Sequence, residues 1–176
     1  AITLLACKDG LVTDHESRIL KSLMSVGKLS VKDILTPRTV VFALPDDMTV
    51  GEIMEQHPNI RFSRIPIYNN DRENIHSFVL KDDVIIEASK HFLDTKLSTL
   101  SRDLLAIPDS GTVLSLFEQL LDHRAHIALA VNEYGSIEGI VTMEDVIETL
   151  LGIEIVDETD ATVDMQALAE AFEQFT

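Results

Sequence analysis

Phe42-Ala-Leu-Pro-Asp-Asp-Met-Thr-Val50 returns later in the chain as Leu105-Ala-Ile-Pro-Asp-Ser-Gly-Thr-Val113, with Pro45 and Pro108 at an offset of 63 residues. Glu55-Gln56 recurs at the same offset as Glu118-Gln119. Beyond a one-residue shift in the loop around Arg72 to Asn74, Asp83-Val84 matches Asp145-Val146 at an offset of 62. Two copies of one unit of roughly sixty residues account for this self-similarity most simply.

Each copy reads the same way outward from that stretch. Thr39 to Leu44 is apolar and β-branched, which predicts a strand that Pro45 and two aspartates end. Thr49 then stands as an N-cap, with Val50, Ile53 and Met54 at helical spacing; in the second copy Thr112 caps Val113, Leu116, Phe117 and Leu120. Strands at Ile65 to Tyr68 and Ile127 to Val131 follow, then polar turns, then strands at Ile75 to Leu80 and Ile137 to Thr142. A helix opens at Lys81 and again at Met143. The order per unit is β-α-β-β-α, an α/β (α+β) class with tandem domains.

Ahead of the repeat, Thr13 and Glu16 have capping-box spacing over an amphipathic helix at 13–26 with a stripe of Ile19, Leu20, Leu23 and Met24. Ser30 and Asp33 open a short helix that Pro37 is expected to end. At the far end Asp157 to Asp164 is acidic, and Met165, Leu168, Ala169 and Phe172 form a last apolar stripe. The chain thus divides into a linker helix (1–30), a first unit (31–90), a second unit (91–155) and an acidic linker with a C-terminal helix (156–176).

Of 176 residues, 30 are Asp or Glu and 14 Lys or Arg, a formal net charge of −16. Such a charge repels duplex nucleic acid, whose binding rests on phosphate neutralisation. No apolar run approaches the eighteen or so residues of a membrane span, and no basic-then-apolar leader opens the chain, so the polypeptide itself is expected to be soluble. Cys7 is the single cysteine and makes no internal disulfide. Walker loops, Gly-x-Gly-x-x-Gly strings and nucleophile elbows are absent, so nothing points to an enzyme. His123 and His126 stand three apart without a third ligand nearby in sequence, which is too little for a metal site.

Gly139-Ile-Val-Thr-Met-Glu-Asp145 carries the chemistry. Gly139 lets another group approach the backbone closely. Thr142 ends a strand where a helix begins, and the free N–H groups of that helix suit an anion. Asp145 in the first turn can accept from the two hydroxyls of a ribose. The same string reads equally well as an ordinary N-cap with a first-turn aspartate.

A doubled β-α-β-β-α unit that ends in Gly-hydrophobic-Val-Thr-x-x-Asp resembles the CBS domain pair, whose members often bind AMP, ATP or related adenosine ligands between their units. Ile34-Leu-Thr-Pro-Arg38, Arg64-Ile-Pro-Ile-Tyr68, Gly139 to Glu148 and Glu154-Ile-Val-Asp-Glu-Thr-Asp160 together resemble the cytosolic module of the CorC/cyclin-M (hemolysin-like) family. The likeness covers about residues 14 to 160. It implies AMP or ATP as regulatory ligand, with or without Mg²⁺, and a homodimer. It also implies an N-terminal transmembrane domain in the full-length protein, a place on the cytoplasmic face of the membrane, and a part in magnesium or cobalt transport or efflux.

By the same resemblance Thr36 contacts adenine, Phe62 lines the base pocket and Ile140 flanks the base. Arg64 sits near the phosphates, where a guanidinium captures oxygen pairs well. Thr142 bonds phosphate or sugar, and Asp145 holds the ribose. His126 aligns with positions that face phosphate, and reads equally as a polar residue at a strand edge. The first unit departs from the pattern: Ser77-Phe-Val-Leu-Lys-Asp-Asp83 has Leu80 where the hydroxyl belongs and no glycine. One nucleotide site per chain, closed mainly by the second unit, is therefore expected. A dimerisation platform that holds no nucleotide is the alternative.

Overall fold

The computed structural model describes residues 13–152. The C-terminal stripe from Met165, the acidic linker, the Glu154 to Asp160 motif and Cys7 lie outside the described residues. Within them, five α-helices accompany two four-stranded mixed sheets.

Helix α1 (Asp14–Val26) starts on the reciprocal box expected of it, Thr13 and Glu16 each bonding the other's backbone N–H. Leu20, Leu23 and Met24 of its apolar stripe stay exposed, whereas Ser17 and Val26 are buried. Ser30 and Asp33 cap a 3-10 turn, Val31–Asp33, which ends four residues before Pro37. The chain then runs through β1 (Thr36–Pro37), β2 (Leu44–Pro45), α2 (Val50–Gln56), β3 (Arg64–Tyr68), β4 (Ile75–Leu80) and α3 (Lys81–Ser89). A second 3-10 turn, Leu97–Leu100, leads to β5 (Arg102–Asp103), β6 (Leu105–Pro108), α4 (Val113–Asp122), β7 (Ile127–Val131), β8 (Ile137–Thr142) and α5 (Met143–Leu151).

The strand expected over Thr39 to Leu44 shrinks to Leu44–Pro45. Val40 N–H closes a turn on the Pro37 carbonyl, and Arg72 Nη2 donates to the Val41 carbonyl at 2.7 Å, so this backbone finds partners other than a ladder. Its apolar side chains serve a different purpose. Val41 and Ala43 are buried with Ile75 and Leu129, forming a small core of their own.

The two sheets exchange their short strands. One runs β2-β3-β4-β5 and the other β1-β8-β7-β6. Thus β1, the leading strand of the first unit, pairs with β8 of the second, and β5, which precedes the second unit's β6, pairs with β4 of the first. The 3-10 turns follow the same exchange. Val31 is buried in the core built by Ile107, Leu116, Leu120 and Val146, and Leu97 in the core built by Val50, Ile53, Ile65 and Ile67. Helix α2, at seven residues, is too short to persist in water alone; burial of Val50 and Ile53, worth about 1.5–3 kcal/mol each, anchors it.

Candidate nucleotide cleft

The exchange brings β1, β3 and β8 together, and a cleft of about 420 Å³ opens among them. Thr36, Phe62, Arg64, His126, Ile140, Thr142 and Asp145 all line it. That volume lies within the usual range for small-ligand sites. Position Thr36 faces Ile140 in the β1–β8 ladder, which fixes both on one wall. This pairing depends on Gly139, because a β-carbon there would fall on the Thr36 carbonyl oxygen. The close approach that the glycine permits is made by the chain's own backbone.

Three kinds of chemistry meet in the cleft. Phe62, 55% exposed, stacks on Phe42 with ring centroids 5.7 Å apart and planes at 26°, and His57 meets Phe42 edge-on at 5.4 Å. Arg64 opens β3, Arg61 stands just before it and His126 just before β7, so two guanidinium groups and an imidazole gather where these strands begin. Glu144, Asp145 and Glu148 project from the first two turns of α5. Arg61 and Glu148 are each already engaged within the fold. Arg64 and His126 form no ion pair among the described residues.

Thr142 and Asp145 form a reciprocal cap at the start of α5. Thr142 N–H and Oγ1–H both donate to Asp145 Oδ2, at 2.8 and 2.7 Å, and Asp145 N–H donates to Thr142 Oγ1 at 3.3 Å. The Thr142 proton is therefore committed, and what its hydroxyl has left to offer is a lone pair. Asp145 Oδ1 accepts no hydrogen bond among the described residues, which suits a ribose hydroxyl. In the first unit Leu80 caps α3 without any side-chain bond, and Asp83 turns to Arg102 Nη2 at 2.9 Å. Cap and cleft acceptor thus coincide in the second unit only.

Phe42, Arg61, Glu144 and Glu148 also line the cleft, and the sequence assigned none of them a place in the site. The spacing of Glu144, Asp145 and Glu148 at i, i+1 and i+4 places the two glutamates on one helix face and marks that wall. Phe42 sits inside the repeated stretch itself, where Leu105 replaces it in the second copy. Among the described residues no group of His, Cys, Asp and Glu gathers as a metal site, and no helix is long and apolar enough to cross a membrane.

Residues 96–152 match the CBS domain family. Hemolysin C of Brachyspira hyodysenteriae is 31% identical over 149 residues, covering 85% of this chain and 54% of that protein. The magnesium and cobalt efflux protein CorC of Vibrio cholerae is 26% identical, covering 84% of this chain and 50% of that protein. A solved CBS domain of a bacterial CNNM/CorC family Mg²⁺ transporter in complex with ATP superposes with a TM-score of 0.73. It shares 27% identity, over 80% of this chain and 99% of that one. The chain spans about half the length of these curated relatives.

Proposed function

The chain belongs to the CBS-domain modules of the CorC/CNNM family, and from that premise we propose that it is a regulatory sensor of an adenine nucleotide, AMP or Mg-ATP, and not a catalyst. One observation carries the reading. A single cleft presents a stacked aromatic pair, an arginine that forms no ion pair among the described residues and an acceptor carboxylate, and these suit the base, phosphate and ribose of a nucleotide. Phe62 and Ile140 enclose the base beside Thr36, Arg64 and His126 face the phosphates, and Asp145 Oδ1 takes the ribose. The ATP complex of a related domain supports the ligand class.

The wider setting is part of the same proposal. The module is joined to an N-terminal membrane domain, lies on the cytoplasmic face, works as a homodimer and regulates magnesium or cobalt transport. Ligand seated between the units favours one arrangement of the exchanged strands, and α1, packed on α5, passes that preference on. The bias is limited to the nucleotide's differential affinity for the two arrangements. Calorimetric titration with AMP, ADP and ATP, each with and without Mg²⁺, tests the reading. Saturable binding by one of them, weakened by Arg64→Ala, supports it; none binding to nucleotide-free protein overturns it.

A second reading has its own support. Thr142 and Asp145 satisfy each other as a cap, so the motif is complete with no ligand. A dimerisation platform needs nothing more, and the titration would then stay flat.

A further inference from the structure

Three rings form a column in the first unit: Phe62 stacks on Phe42 at 5.7 Å, and His57 meets Phe42 edge-on at 5.4 Å. At the repeat's offset of 63 residues the second copy has Leu105, Leu120 and Ala125 in their places. The column is thus confined to the copy that brings Phe62 to the cleft, although the flanking stretches repeat.

Local sequence places each ring. Pro58 disfavours the helical region for His57, so α2 stops at Gln56 and His57 takes φ −131° and ψ 59°. Its N–H still bonds the Ile53 carbonyl at 2.8 Å, which ties the residue to the helix end. Phe42 is half-buried against the core of Leu44, Val50 and Ile53. Phe62 has neither kind of anchor. It belongs to the strandless stretch between α2 and β3, and it is 55% exposed.

A groove of about 340 Å³ adjoins the cleft, with Phe42, Arg61 and Phe62 common to both. His57 lines the groove and not the cleft. An exposed side chain that borders two open spaces changes rotamer rapidly unless a neighbour holds it. With Phe62 turned into the groove, a base in the cleft would lose its stacking partner.

We propose that His57 is a positioning residue for base recognition: through Phe42 it holds Phe62 where an adenine stacks. This role rests on the nucleotide reading of the cleft and adds to it a residue that touches no ligand. A perpendicular ring contact favours one orientation of Phe42, and the stacked pair passes that orientation to Phe62. A ring fixed before the ligand arrives need not be ordered on binding, which raises affinity.

Calorimetric titration of AMP and of Mg-ATP into the whole chain tests this with wild type, His57→Ala, Phe62→Ala and the double variant. His57→Ala is expected to weaken nucleotide binding by about three- to tenfold, the range of one aromatic pair. In the Phe62→Ala background the same change is expected to have no further effect, because the ring that it positions is gone. His57→Phe, which returns a ring at that place, is expected to recover most of the loss. A merely structural histidine would move the melting temperature in both backgrounds and the affinity in neither. Binding that ignores His57→Ala, or that falls equally with and without Phe62, would overturn this role and leave the nucleotide reading standing. No binding of either nucleotide to nucleotide-free wild type would overturn both.

Discussion

Gly139 has room for the Thr36 carbonyl only because it lacks a β-carbon, so one hydrogen atom's worth of space holds the first unit's leading strand on the second unit's sheet. Gly139→Ala is predicted to push β1 off β8, at a cost of about 1–3 kcal/mol for overpacking. A melt should fall by several degrees for a chain of this size. Nucleotide binding should fall with it, because Thr36 and Ile140 face each other across that ladder. An unchanged melting temperature would show that the contact is easily relieved.

Asp145 carries a structural and a binding task on different oxygens. Asp145→Ala removes the cap and should cost about 1 kcal/mol of stability along with ligand response. Asp145→Asn keeps an acceptor for Thr142 but turns an amide N–H₂ toward the ribose. It is predicted to melt within about 1 °C of wild type, a small cap difference, and to bind nucleotide distinctly less well. Comparing melting curves with titrations of both variants separates the tasks. Equal ligand affinity in Asp145→Asn and wild type would remove Asp145 from the site.

Phe62 is more than half exposed, so its truncation removes little buried area. Phe62→Ala is expected to change stability by less than about 1 kcal/mol, as exposed positions do. Base stacking on an aromatic ring is worth about 1–3 kcal/mol by alanine substitution, so affinity should drop roughly tenfold or more. Titration with one nucleotide reads this directly. An unaltered affinity would place the base elsewhere.

Acid sensitivity has a local origin in two caps. The Thr49 N–H and hydroxyl, at 2.8 and 3.0 Å, hold Glu52 below its ordinary carboxyl range, and Ser30 holds Asp33 down in the same way. A lowered folded value means that the stabilisation is complete above about pH 4.5, the ordinary value for Glu52, and fades as pH falls through the lowered one. Glu52→Gln is predicted to flatten the fall of melting temperature below about pH 4.5, with little change in slope at neutral pH. Parallel curves for variant and wild type would contradict that origin.

Much of the fold is legible because the repeat and its caps are local signals. The caps at Thr13, Ser30 and Thr49, and the strands at Ile65, Ile75, Ile127 and Ile137, stand where spacing and β-branching put them. The exchange of β1 and β5 is not legible, since two-residue strands are too short to show any periodicity. Thr39 to Ala43 misleads for a related reason. β-Branched, apolar residues mark burial between sheets as readily as membership of one. In the cleft, the residues singled out by motif and resemblance meet in space, whereas Arg61 belongs to no motif and becomes visible only once the strands are exchanged.

The central claim, that the cleft between the units takes an adenine nucleotide, is tested most directly by thermal shift on protein stripped of carried-over nucleotide. AMP and Mg-ATP would each be added to wild type and to Asp145→Asn. A ligand at about a hundred times its dissociation constant stabilises by roughly 2.7 kcal/mol, a rise of about 5 to 10 °C for a chain of this length. The account predicts such a rise with at least one nucleotide, much reduced in Asp145→Asn. Flat curves for wild type with both ligands would contradict it and leave the module as a dimerisation platform.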